Sequence, residues 1–105
     1  MTNSRAKGNR IERLAVNALK DELGDGFVVE RNLAQTRDGG ADVILPPFHI
    51  EVKGGQQFRK AWLDQAREQA GAEIPVLMWR EPRKGWRIFV ELSVPELAYY
   101  IREAG

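Results

Sequence analysis

Two adjacent prolines, Pro46 and Pro47, stand between two short apolar-rich segments, residues 41–45 and 48–53. Proline has no N–H to give a sheet ladder, so the pair marks a turn and its flanks read as the arms of a β-hairpin. Neither proline can supply the positive φ of a tight primed turn. The tip is therefore expected to be wider than usual or to contain a cis-proline. Bent there, the arms set Leu45 opposite Phe48 and Asp42 opposite Glu51. Directly opposed residues project to one side of a sheet, and alternation along the strand adds Lys53 to the side of Glu51. Two acids and a lysine converge on one patch.

The rest of the chain supplies elements around this hairpin. Over residues 8–23, Ile11, Leu14, Ala15, Ala18, Leu19 and Leu23 recur at helical spacing, and Gly24-Asp25-Gly26 ends the run. Residues 27–31 read as a strand, and the polar stretch 32–40 as a loop leading into the hairpin. After Gly54-Gly55 a helix is expected over 58–70, with Trp62 and Ala66 inward. Strands at 75–80 and 86–92 follow, joined by Arg83-Lys84-Gly85. Ser93 and Glu96 form a capping box that opens a last helix, whose inner face is Val94, Leu97, Ala98 and Ile101. This order predicts one α/β (α+β) domain over residues 1–105, a central mixed sheet of about five strands flanked by helices.

With 105 residues and no cysteine, the chain has a core of its own but no disulfide, thiolate metal site or thiol nucleophile. It lacks an apolar run of the roughly 20 residues that span a membrane, and a secretory signal, so a cytoplasmic location is expected. The net charge of +1 hides an uneven distribution. Arg5, Lys7, Arg10, Arg13 and Lys20 face one acid, Glu12, in the first 20 residues, and Arg80, Arg83, Lys84 and Arg87 surround Glu81. Two basic groups bracketing an acidic site suit a polyanion; solvated ends and turns would have the same composition.

Facing carboxylates repel, and a divalent cation is a natural way to neutralise them. Asp42 and Glu51 offer hard oxygen donors for Mg²⁺, and the Val52 carbonyl is a candidate third ligand, with water and phosphate oxygens completing the shell. Lys53 is placed to orient or deprotonate an attacking water and to offset charge on phosphorus.

Gly8 and Glu12 one turn apart, Asp42, Glu51-Val52-Lys53 and a following helix with Gln65 together resemble the PD-(D/E)XK nuclease superfamily. Within it, the chain is similar to small Holliday junction resolvase-like and viral replication-repair nuclease domains. The resemblance covers about residues 4–92 and rests on order and spacing; Ala41 stands where the family expects a proline. It implies a restriction endonuclease-like αβββαβ core and an endonuclease that leaves a 5′-phosphate. Asp42, Glu51 and Lys53 would be catalytic, Glu12 an additional metal or water ligand, and Mg²⁺ the cofactor, with Mn²⁺ substituting.

Glu12 lies beside the apolar stripe of its helix, with Gly8 one turn earlier on the same side. A glycine there lets a phosphate backbone or a facing strand come close. Gln65 suits a bridge to water or phosphate and equally an ordinary helix surface. His49 shares the parity of Glu51, but a lone histidine near a hairpin tip is expected to be exposed. Trp62, Trp79 and Trp86 fit core packing better than base stacking. Arg59 and Lys60, with Arg5, Lys7, Gly8 and Arg10, are the expected DNA contacts, giving salt-dependent affinity without sequence choice. A domain this small has no room for a sequence-reading module, so branched DNA, with a four-way junction as one form, is the expected substrate. Symmetric cutting of a junction implies a homodimer. Alternatives on the same scaffold are a nickase, a flap or single-strand cutter, or a subunit of a restriction or repair complex. A non-catalytic DNA-binding module is a further alternative, but phosphate binding gains nothing from paired carboxylates.

Overall fold

The computed structural model describes residues 4–33 and 40–105, with side chains from residue 8 onward. Its elements are α1 (Ser4–Leu23), β1 (Glu30–Arg31), β2 (Val43–Leu45), β3 (Phe48–Gly54), α2 (Lys60–Ala70), β4 (Ile74–Glu81), β5 (Gly85–Val90) and α3 (Val94–Ala104). The strands form one sheet in chain order, antiparallel throughout except for the parallel pair β3–β4. A parallel neighbour cannot be reached by a tight turn, and α2 is the crossover that makes the connection. The chain is thus a single α/β (α+β) domain with the expected mixed five-stranded sheet.

Alternation along the strands creates two buried faces. On one, Ala15 and Val16 of α1 pack on Val43, Ile50, Val52, Val76 and Met78. On the other, Leu77 and Trp79 are buried beneath α2, whose Ala66 and Ala70 point inward. Phe58 adds its ring to Trp62, Trp79 and Phe89 on that side. Trp79 is core, and its indole N–H donates to the Gly55 carbonyl at 2.8 Å. At Gly54 a Cβ would lie 2.5 Å from Ile11 Cδ1, so the missing side chain leaves the end of Ile11 its present position between α1 and β3.

Two elements differ from expectation. The strand expected over 27–31 shrinks to Glu30 and Arg31. Continuing the β1–β2 register would set Val28 and Phe27 opposite Pro46 and Pro47, which have no N–H to exchange. The capping box of α3 forms as expected: Glu96 N–H donates to Ser93 Oγ (3.2 Å), and Ser93 N–H to Glu96 Oε1 (2.8 Å). Its expected inner face, however, is largely exposed, with Val94 80% accessible and Leu97 and Ile101 also open. The reason is that α1 already covers Ile50 and Val52. What remains for α3 is the rim residue Phe48, on which Tyr100 packs with ring centroids 6.0 Å apart. Among the described residues, no helix is long and apolar enough to cross a membrane.

Candidate active site

The hairpin keeps the counted register at its tip. Leu45 pairs with Phe48, Ile44 with His49 and Val43 with Ile50, around a cis peptide bond between Pro46 and Pro47. At Asp42 the ladder departs from regularity. Its carbonyl still accepts the Asn32 N–H on the β1 side (2.9 Å), but its own N–H turns to the Ile50 carbonyl on the β3 side (2.8 Å). A regular strand residue would aim both groups the same way. The bend turns the side chain toward β3, and Oδ2 accepts the Val52 N–H at 2.7 Å.

Asp42 and Glu51 are both buried and come within hydrogen-bonding reach of each other. Burial, then the Asp42 charge and the bond shared with it, push the Glu51 carboxyl from an ordinary 4.5 up to about 8. Lys53 acts in the opposite direction, and the charge of Glu12 adds to the rise. Glu12 is itself raised, by burial first and the Asp42 charge second, with Arg31 and Lys53 pulling it back. Four groups from a helix and two strands therefore share one field: Glu12, Asp42, Glu51 and Lys53.

Two partners of this cluster were not expected from sequence. His49 is 1% accessible, a correction to its expected exposure. Its Nε2 shares a 2.8 Å hydrogen bond with Glu51 Oε1, and its Nδ1 lies 3.7 Å from Glu73 Oε1. Strand parity gave it the right side; its burial depends on the α2–β4 connection, which brings Glu73 over the strand. Arg31 holds the other end, donating from Nη2 to Asn9 Oδ1 (2.9 Å) and Glu12 Oε1 (3.4 Å). The strand expected over 27–31 gave Arg31 a parity but no partner, because Asn9 and Glu12 reach it from α1, 22 and 19 residues away.

The remaining candidates are spread around this centre. The Val52 side chain is in the core under α1, and its N–H is the one taken by Asp42. Gln65 is exposed on α2, without a hydrogen bond to the cluster among the described residues. At Gly8 a Cβ would meet nothing within 4 Å among the described residues; the α1 side chain close to a glycine of the sheet is Ile11, at Gly54. Arg10 is exposed on α1, whereas the side chains of Arg5 and Lys7 lie outside the described residues. Arg59 caps the start of α2 and lines a groove of about 430 Å³ with Gly54, Gly55, Gln57 and Trp62, just past Lys53. Lys60 is exposed and pairs with Asp64 at 3.7 Å.

Among the described residues, no three His, Cys, Asp or Glu side chains are grouped to hold a metal ion by themselves. Mg²⁺ does not ask for that, since it commonly takes one or two carboxylates and fills its shell with water and phosphate oxygens. The Asp42–Glu51 pair fits such a demand in donor type and charge. No protein-family model matches this chain, and no curated protein matches it.

Proposed function

We propose that this protein is a Mg²⁺-dependent endodeoxyribonuclease that hydrolyses phosphodiester bonds of branched DNA and works as a homodimer, with Mn²⁺ able to replace Mg²⁺. The observation that carries the proposal is the close approach of the buried Asp42 and Glu51 carboxyls, with Lys53 one strand period beyond Glu51 and Glu12 leaning in from α1. A fold that spends two buried acids on one point leaves a repulsion that a shared proton or a cation relieves. Asp42 and Glu51 would hold the ion, joined by the Val52 carbonyl and by Glu12 directly or through water. Bound there, a divalent cation supplies Lewis-acid stabilisation of the phosphoryl oxygens and lowers the pKa of water.

The chain's own groups do the rest. Lys53, whose charge already reaches both Glu51 and Glu12, orients the attacking water and offsets negative charge growing on phosphorus. His49 fixes Glu51 Oε1. Arg31 steadies Glu12 from the β1 side. The exposed Arg10 and Arg59 and the groove beside Gly54 offer basic surface for the DNA backbone.

The test uses labelled four-way junction, flap, nicked, duplex and single-stranded DNA, each with Mg²⁺, Mn²⁺ or EDTA, beside an Asp42→Asn control. Metal-dependent cutting that is lost in the control is expected, with junction or other branched DNA cut first. No cutting of any substrate with either metal would overturn the enzyme. Cutting that survives Asp42→Asn would overturn the site.

A further inference from the structure

Next to the acidic cluster, between α1 and the β1 edge of the sheet, lies a cleft of about 710 Å³. One wall is a single helix face: Arg13, Val16, Asn17 and Lys20 follow the i, i+3, i+4, i+7 spacing. Val16 and Val29 close its base from within the core, and the open apolar surface is Leu33, 80% accessible, with Ile44 at 43%. Arg31 lines the far side and bonds Glu12, while the neighbouring Asn32 N–H bonds the Asp42 carbonyl. The cleft is thus joined to the proposed catalytic groups through two direct links. One acid, Glu30, shares the lining with these three cations. Arg13 and Lys20 form no ion pair among the described residues, in contrast to Arg31, Lys60, Arg67, Lys84 and Arg87.

We propose that this cleft seats an unpaired stretch of the DNA strand flanking the scissile phosphate, which rests on the nuclease reading above. A fully paired duplex shows a protein its phosphates and groove edges, with the base faces stacked inside. The phosphates of such a ligand can engage the cations, but the open apolar surface gains nothing from it. An unpaired nucleotide offers both parts at once, a phosphate for Arg13 and Lys20 and an uncovered base face for Leu33 and Ile44. Splayed arms, flaps and opened junction centres present that combination next to a cutting site; continuous duplex does not. The preference for branched DNA would then arise from a subsite for the separated strand, in addition to any recognition of overall shape.

The probes are a fluorescein-labelled oligothymidylate, a splayed-arm DNA and a continuous duplex, each titrated with the wild-type protein in EDTA and followed by anisotropy. Single-strand and splayed-arm DNA are expected to bind severalfold tighter than duplex, through base contact with Leu33 and Ile44 that duplex cannot make. Arg13→Gln with Lys20→Gln is expected to weaken oligothymidylate binding about tenfold and to flatten its salt dependence by about 1.4 in log–log slope, two single-strand phosphates' worth. Leu33→Ser, at an open position where folding is not at stake, should weaken the single strand severalfold and leave duplex unchanged. Duplex bound as tightly as single strand, or a double variant that binds oligothymidylate like wild type, would overturn the subsite. If the strand preference holds while no metal yields cleavage, the subsite stands and the nuclease reading falls. If cleavage occurs while the double variant binds normally, the reverse is true.

Discussion

At Glu51, burial and the Asp42 carboxylate push in one direction, and the carboxyl titrates near 8. Between 4.5 and about 8 the folded protein therefore keeps a proton that the unfolded chain has lost, so stability falls as pH rises through that window and levels off above it. In EDTA, Tm should decline from about pH 5 to about pH 9, and Glu51→Gln should flatten the decline; a slope that survives Glu51→Gln would place its origin elsewhere. A cation must displace the same proton, so Mg²⁺ should raise Tm more at alkaline than at acidic pH, as a paired thermal scan would reveal. His49 acts through Glu51. His49→Ala is expected to weaken metal affinity about tenfold or more, and His49→Gln, which retains a side-chain N–H, to recover much of it. Mn²⁺ titration reads this without DNA, and an unchanged affinity in His49→Ala would remove the positioning role. Glu51 and Lys53 were legible because parity along a strand needs only local backbone geometry, whereas Asp42 lies just outside β2 at an irregular point of the ladder. The burial of His49 was not, because Glu73 reaches it from the far end of a crossover helix.

Among the elements, α1 and β3 are tied by the approach of Ile11 to Gly54. Gly54→Ala brings a methyl against Ile11 Cδ1, the end of a side chain that can turn aside, so it should cost about 0.5–1.5 kcal/mol in urea unfolding, and Ile11→Val, which removes the opposing methyl, should return most of it. A larger loss would mean that the helix itself has to move. The capping box of α3 was readable from Ser93 and Glu96 alone, since its bonds span three residues. Yet α3 is held to the body mainly by Tyr100 on Phe48. Ser93→Ala should therefore speed hydrogen exchange in the first turn of α3 while Tm of the sheet changes little; a large loss of Tm would mean that α3 is part of the cooperative core. The length of β1 escaped the sequence reading because Phe27, Val28 and Val29 have strand-like side chains. What shortens the strand is its partner, which turns into two prolines at the corresponding positions.

Over the whole molecule, the two basic groups have different fates. On the β4–β5 side, Arg80 stacks on Trp86, Arg87 lies over Trp79, and Lys84 and Arg87 share Glu81, so that group is largely spent on its own sheet. On α1, Arg10, Arg13 and Lys20 remain open beside the cleft. The homodimer proposed for symmetric cutting has apolar surface available on α3, at Val94, Leu97 and Ile101. Leu97→Glu with Ile101→Glu should convert the dimer to a monomer in sedimentation and reduce paired cutting of a junction to single nicks; an unaltered sedimentation coefficient would place the interface elsewhere. The sequence by itself determined the order of elements, the turn at Pro46-Pro47 and the side to which Glu51 and Lys53 point. Each of these follows from backbone chemistry acting over a few residues. Only the tertiary structure decided that Asp42 bends out of its ladder to meet Glu51, that Glu12 and Arg31 join them, that His49 is enclosed, and that α3 leaves its apolar face open. Those outcomes depend on how helices dock on a sheet, where the groups that meet are far apart in the chain and compete for the same surface.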